Sequence, residues 1–220
     1  CSKCYSYYTY QCDSLMASPN GDKQWDSFLT EAIGKGLKGK QLHNAIPHRR
    51  MSATIYKNYP QGKITVTDFL LGQYYLYEDA LNSQEWNIES DSMKVVLGHE
   101  CQKATCSFRG RKWTAWFALD VPVSDGPLKF CGLPGLIMEV YDRGKQYYFC
   151  INGMQQVSAT PISFGNLDKD FKHFQKINRK DFLISKYRYL RNQNSINEAS
   201  TGISLGSVDD ALKYDLIERE

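Results

Sequence analysis

Residues 125–142 read D-G-P-L-K-F-C-G-L-P-G-L-I-M-E-V-Y-D, and their punctuation decides how the chain is organised. Gly126-Pro127 opens the stretch with a turn signal. Leu128 and Phe130 then alternate with Lys129 and Cys131, the period of a short strand. Leu133 precedes a proline and is pushed to extended backbone, while Pro134-Gly135 suits the central positions of a type II turn. Gly132 permits a positive φ or the close approach of another backbone. From Leu136 to Tyr141 the residues are almost wholly apolar, as in a short strand covered on both faces. The stretch is expected to form a strand, a rigid kink and a buried strand.

Working outward, period-two segments predominate on the N-terminal side. Met51–Asn58 and Lys63–Leu71 read as strands joined through Tyr59-Pro60-Gln61-Gly62. Tyr74–Tyr77, Glu85–Ile88 and Met93–Leu97 read as further strands. Glu100–Phe108 and Arg111–Leu119 form a hairpin across Arg109-Gly110. A tight turn there sets Cys106 opposite Trp113, Thr105 opposite Thr114 and Lys103 opposite Trp116, where the ammonium can lie over the indole. Trp113, Ala115, Phe117 and Leu119 then share a core face, and Lys112, Thr114 and Trp116 the other. Beyond the opening stretch, Gln146–Ile151 continues as a strand to Val157. Consecutive strands with short turns mean an antiparallel meander.

Helical spacing appears at both ends. Tyr5–Leu15 reads as a helix ending before Pro19, and Trp25, Phe28, Leu29, Ala32 and Ile33 form an apolar stripe. Such a stripe predicts a helix packed on a sheet. Gly34, Gly36 and Gly39 predict a lysine-bearing loop after it. Asn178–Asn192 is helical through Phe182, Leu183, Tyr187 and Leu190, and Ser207–Asp210 can cap a last short helix. The expected architecture is α+β: an antiparallel meander, as a curved sheet or half-barrel, with two or three helices packed on it. Residues 1–192 are expected to form one domain, and 193–220 a polar C-terminal tail.

The central segment resembles a known group through six elements in order: Leu97–Ala104 (L-G-H-E-C-Q-K-A), Phe108–Arg111, Ala115–Phe117, Val121-Pro122, Gly126-Pro127 and Gly132–Ile137. These are similar to the GLPGLI family of uncharacterised proteins from Bacteroidetes-type bacteria. The resemblance implies export to the periplasm or cell envelope, or secretion. It brings no catalytic residues with it.

The net charge of +3 is near balance and has no basic run, which argues against a nucleic-acid partner. No apolar stretch approaches the ~18 residues of a membrane helix. The sequence starts at Cys1 with structure-forming residues and no flexible tether. It therefore reads as a fragment lacking its signal and first strand, rather than as an acylated lipoprotein start. Among seven cysteines, Cys1 and Cys4 form a C-x-x-C without a second pair for zinc or a redox context. Cys106 with Cys131 is the favoured disulfide.

No nucleophile elbow, zinc-protease helix, P-loop or dinucleotide fingerprint occurs. Asp120 and Asp125 could do acid–base work only across a shared cleft. His99 and Cys101 share a strand face but lack a third ligand, and His43 with His48 is a lone pair. Arg109 and Arg111 flank a hairpin tip and could grip an anionic group, although arginines at turns are ordinarily solvated. The candidate binding residues are Lys103, Arg111, Trp116 and the kink Gly132, Leu133, Pro134 and Gly135, with no catalytic residue, metal or cofactor. Fifteen tyrosines and four tryptophans supply apolar bodies with polar tips. They favour a non-enzymatic envelope protein holding a lipid, another apolar small molecule or a protein partner. The alternatives are a secreted hydrolase using the loop carboxylates and an accessory subunit of an outer-membrane receptor.

Overall fold

Strand alternation dominates the middle of the chain, and in the computed structural model it produces two separate five-stranded sheets. The structure describes residues 1–47, 51–158, 162, 174–192 and 216–218. The first sheet has the order β1 (Ser2–Cys4), β2 (Thr54–Lys57), β3 (Lys63–Leu70), β4 (Gln73–Ala80) and β10 (Phe174–Lys176). Its pairs are antiparallel except β10, which runs parallel to β4. The second sheet is an antiparallel meander of β5 (Asn87–Val96), β6 (His99–Phe108), β7 (Arg111–Ala118), β8 (Leu136–Asp142) and β9 (Tyr148–Cys150). The class is α+β, as expected, but two sheets replace the single curved sheet or half-barrel. The break falls after β4, where β5 turns to pair with β6 instead of extending the first sheet.

The β6–β7 register is the expected one: Cys106 faces Trp113, Thr105 faces Thr114 and Lys103 faces Trp116. Arg109 and Gly110 both take positive φ, 51° and 72°, the two-residue turn whose twist suits a hairpin. Trp113, Ala115 and Phe117 are buried, whereas Leu119 lies past the strand end and is exposed. Lys103 does not cover the indole of Trp116. It pairs with Glu89 at 2.8 Å, and Lys94 takes the position 5.5 Å over the ring.

The opening stretch departs from its expected form. Leu128–Cys131 is not a strand: Phe130 N–H donates to Pro127 O at 3.0 Å, closing a turn with Leu128 at φ 51°. The alternation misled because Lys129 is itself buried, its ammonium drawn to carboxylates elsewhere in the fold. Gly132 takes the positive φ (93°), and Gly135 does not have the positive φ of a type II turn. Gly135 serves a different need. A Cβ there would overlap the carbonyl oxygen of Ala118 and lie 2.6 Å from its carbon, so β8 enters against the end of β7 only without a side chain. The strand expected to reach Val157 ends at Cys150.

Four helices flank the sheets among the described residues: α1 (Tyr7–Met16), α2 (Gly21–Gly34), α3 (Gly39–Ala45) and α4 (Arg179–Arg191). The apolar stripe of α2 is not laid on a sheet. Its main neighbours are α1 and α3, and Phe28 and Ile33 remain exposed. The expected loop after Gly36 contains α3, whose seven residues turn back on α2. By contrast, α4 docks on the first sheet through buried Phe182, whose ring lies 5.7 and 5.4 Å from those of Tyr75 and Tyr77. Asn178 caps α4 by accepting from Asp181 N–H at 2.9 Å. Asn178→Ala is expected to cost about 1 kcal/mol, read from the urea midpoint. The proposed cap at Ser207–Asp210 lies outside the described residues. Within the stretch expected to be a polar tail, Leu216–Glu218 pack against the body, and Glu218 is buried.

All seven cysteines are free thiols. The expected Cys106–Cys131 bridge does not form. Cys106 points into the cluster around Trp113 and Phe117, where burial pushes its thiol up to about 12. Cys131 Sγ turns instead to Gln84 Oε1 (3.7 Å) and the carbonyl of Lys129 (3.6 Å).

Candidate functional site

Each sheet carries its own apolar cluster. In the first sheet Ile55, Val66 and Tyr77 pack with Phe182 of α4; in the second Phe108, Trp113 and Phe117 pack with Phe130. Between the two clusters lies a cavity of about 270 Å³. Phe108, Trp113, Phe130, Tyr147, Phe149 and Phe182 supply aromatic walls, and Leu128–Phe130 from the opening stretch closes one side.

The loop that closes it is firmly held. Lys57 is buried and donates to Gly126 O (2.5 Å) and Phe130 O (3.2 Å) while pairing with Asp125. Gln84 Nε2 donates to Lys129 O at 3.1 Å, and Trp86 Nε1 to Cys131 O at 2.9 Å. These bonds satisfy the carbonyls of a segment that lacks a strand partner. Leu133, buried behind them, anchors the kink.

Charged groups collect at the rim. Lys129 reaches Glu218 at 2.5 Å and Asp79 at 3.2 Å, Arg109 reaches Asp79 at 2.6 Å, and Arg179 reaches Glu218 at 3.3 Å. Across the cavity Lys186 holds buried Asp68 at 2.5 Å. Burial by itself raises the Asp79 carboxyl, but Lys129 and Arg109 outweigh it and hold it below the usual range. A carboxyl depressed on folding adds stability above its unfolded value and loses it as pH falls through the folded one. Stability is therefore expected to decline as pH drops below about 4, and Asp79→Asn to flatten that part of the profile in urea titrations.

Of the residues singled out from the sequence, Arg109 lines this cavity, whereas Lys103, Arg111, Trp116, Gly132, Leu133, Pro134 and Gly135 do not. Lys103 and Trp116 are opposed across β6 and β7, and the indole Nε1 of Trp116 is buried without a hydrogen-bond partner among the described residues. Arg111 is buried, donating to Asp142 and Gln146 at 2.9 Å and to the carbonyls of Ile217 (3.1 Å) and Leu216 (3.0 Å). Gly132, Leu133, Pro134 and Gly135 shape the segment just beyond the Leu128–Phe130 wall. Sequence reasoning missed Tyr77, Lys129 and Phe182 as wall residues. Their signal was mixed, because a lysine in an alternating run and single aromatics on a strand or helix are not distinctive.

The hydrolase candidates are brought together only in part: His99 meets Asp120, while Asp125 and Cys101 face other partners. Asp125 engages Lys57, while Asp120 engages His99 Nδ1 at 2.7 Å on an exposed edge. Cys101 is fully buried, burial raises its thiol, and Sγ donates to His99 O at 3.5 Å instead of meeting the imidazole. Among the described residues no group of three or more His, Cys, Asp or Glu side chains could hold a metal ion.

Residues 109–139 match a family of proteins of unknown function, Porph_ging. The match spans β7, the cavity-closing loop and the start of β8. No curated protein matches the chain. Two solved structures of PNGF-II, in different crystal forms, are distantly similar. One has a TM-score of 0.41 with 14% identity, over 60% of this chain and 24% of that one. The other has a TM-score of 0.43 with 14% identity, over 63% of this chain and 25% of that one. The likeness thus extends over about a quarter of the PNGF-II chains, and at these scores it carries no functional weight.

Proposed function

We propose that the protein is a non-enzymatic binding protein that takes a small apolar molecule into the cavity between its two sheets. The observation behind this reading is the cavity itself, with aromatic walls contributed by both sheets and α4. A cavity of about 150 Å³ holds a benzene, so about 270 Å³ suits a ligand of roughly ten non-hydrogen atoms. At about 0.5 kcal/mol per atom such a ligand gains ~5 kcal/mol, a Kd in the upper micromolar range.

The resemblance noted in the sequence supports an envelope location for this activity, which fractionation of the native host would test. The binding reading is tested by native mass spectrometry and by calorimetry with 3-phenylpropan-1-ol. A saturable complex that is lost in Ala53→Phe, where the new ring fills the cavity, is the expected result. No binding of the alcohol, together with a bare native mass, would sink the reading.

A further inference from the structure

Among the described residues the charges lining the cavity do not balance. Arg109, Lys129 and Lys186 line it as cations, against the carboxylates of Asp68 and Glu218. Just behind them Asp79 and Arg179 add one charge of each sign, so among the described residues one positive charge is left over. Its position can be traced. Lys186 is held by Asp68 at 2.5 Å, and Lys129 lies between Glu218 at 2.5 Å and Asp79 at 3.2 Å. Arg179 is satisfied by Glu218 at 3.3 Å. Arg109 uses Nη2 for Asp79 at 2.6 Å, but its Nε is 4.0 Å from Glu218, beyond hydrogen-bond reach. That Nε is buried and has no hydrogen-bond partner among the described residues.

A buried donor without an acceptor is costly, and a cationic donor more so. The guanidinium is already oriented by Asp79 and by the Phe108 ring, 5.2 Å from its centre, so little order is lost when an acceptor arrives. Tyr77 lines the same cavity. Burial first, then Glu218, Asp68 and Asp79, raise its phenol well above the ordinary value, so it stays protonated and able to donate.

Building on the apolar-cavity reading, we infer that the ligand is a small amphipathic monoanion, its apolar body between the aromatic walls and its carboxylate on Nε of Arg109. One negative charge matches the surplus. A second would be uncompensated, and a cation would be repelled.

The test compares 3-phenylpropionate with 3-phenylpropan-1-ol, which differ chiefly in charge, by calorimetry on the whole chain. The carboxylate is expected to bind at least about tenfold more tightly, the gain of one charge-assisted bond. Arg109→Gln should abolish that preference while the affinity for the alcohol is kept. Arg109→Lys retains a cation for Asp79 and is the variant to use if the glutamine protein does not fold. It keeps the positive surplus but offers no Nε–H at that point, so only part of the preference should remain. Equal affinities in the wild type, a preference that survives in Arg109→Gln, or one undiminished in Arg109→Lys, would overturn the anion assignment and leave the cavity reading standing. If neither probe binds, the cavity reading itself is wrong and this inference goes with it.

Discussion

Gly135→Ala is expected to destabilise the protein by about 3 kcal/mol or more, at the upper end of overpacking effects. The added methyl has nowhere to go. Its carbon would overlap the carbonyl oxygen of Ala118, lie 2.6 Å from the carbonyl carbon and sit 3.2 Å from Leu119 Cα. These are backbone atoms at the end of β7, and Ala118 is itself wholly buried and paired with Leu136. Relief would require β7 and β8 to separate, at the point where the match to the family of unknown function runs through both strands. Gly34→Ala is the control, because a Cβ at that helical position meets nothing within 4 Å. It should stay within about 0.5 kcal/mol of wild type. Urea denaturation of both variants decides the matter. An unchanged midpoint for Gly135→Ala would mean that the approach of Gly135 to Ala118 is not a fixed feature of the fold.

Arg111→Met should cost a comparable ~3–5 kcal/mol, because it leaves a buried carboxylate without its cation. Asp142 is 4% exposed and would keep only its bonds from backbone N–H groups such as Tyr147. The carbonyls of Leu216 and Ile217 would lose their donor in the same step, loosening the segment that carries Glu218 to the cavity rim. Two measurements separate this bracing role from the ligand-binding role suggested by the sequence. The double variant Arg111→Met with Asp142→Asn removes both charges and should recover part of the loss, giving a clear coupling energy in a double-mutant cycle. Affinity for a cavity probe should fall only modestly, through the loosened wall at residues 216–218, at temperatures where Arg111→Met is still folded. Additive losses would show that Arg111 and Asp142 do not act as a pair.

What the sequence determined by itself is local. Arg109-Gly110 between alternating segments specifies a tight turn, and the turn sets every pair along β6 and β7. Asn178 before an amphipathic run specifies where α4 begins. Leu136–Tyr141 is apolar enough to require cover on both faces. Such features were legible because the interacting groups are near neighbours along the chain.

What only the tertiary structure decided is the pairing of distant parts. Whether the strands form one sheet or two depends on the partner β5 finds, and nothing in its alternation names that partner. The same holds for charge. A lysine in an alternating run reads as solvent-facing, yet Lys129 is buried because Asp79, 50 residues away, waits for it. Arg111 reads as a turn cation until the carbonyl of Ile217, 106 residues on, accepts from it. The cavity depends on the same distant pairings, since its walls come from both sheets, α4 and residues 216–218. Burial turns such charges from surface ornament into structural ties, because in a low-dielectric interior an ion is tolerated only where its counter-charge is already in place.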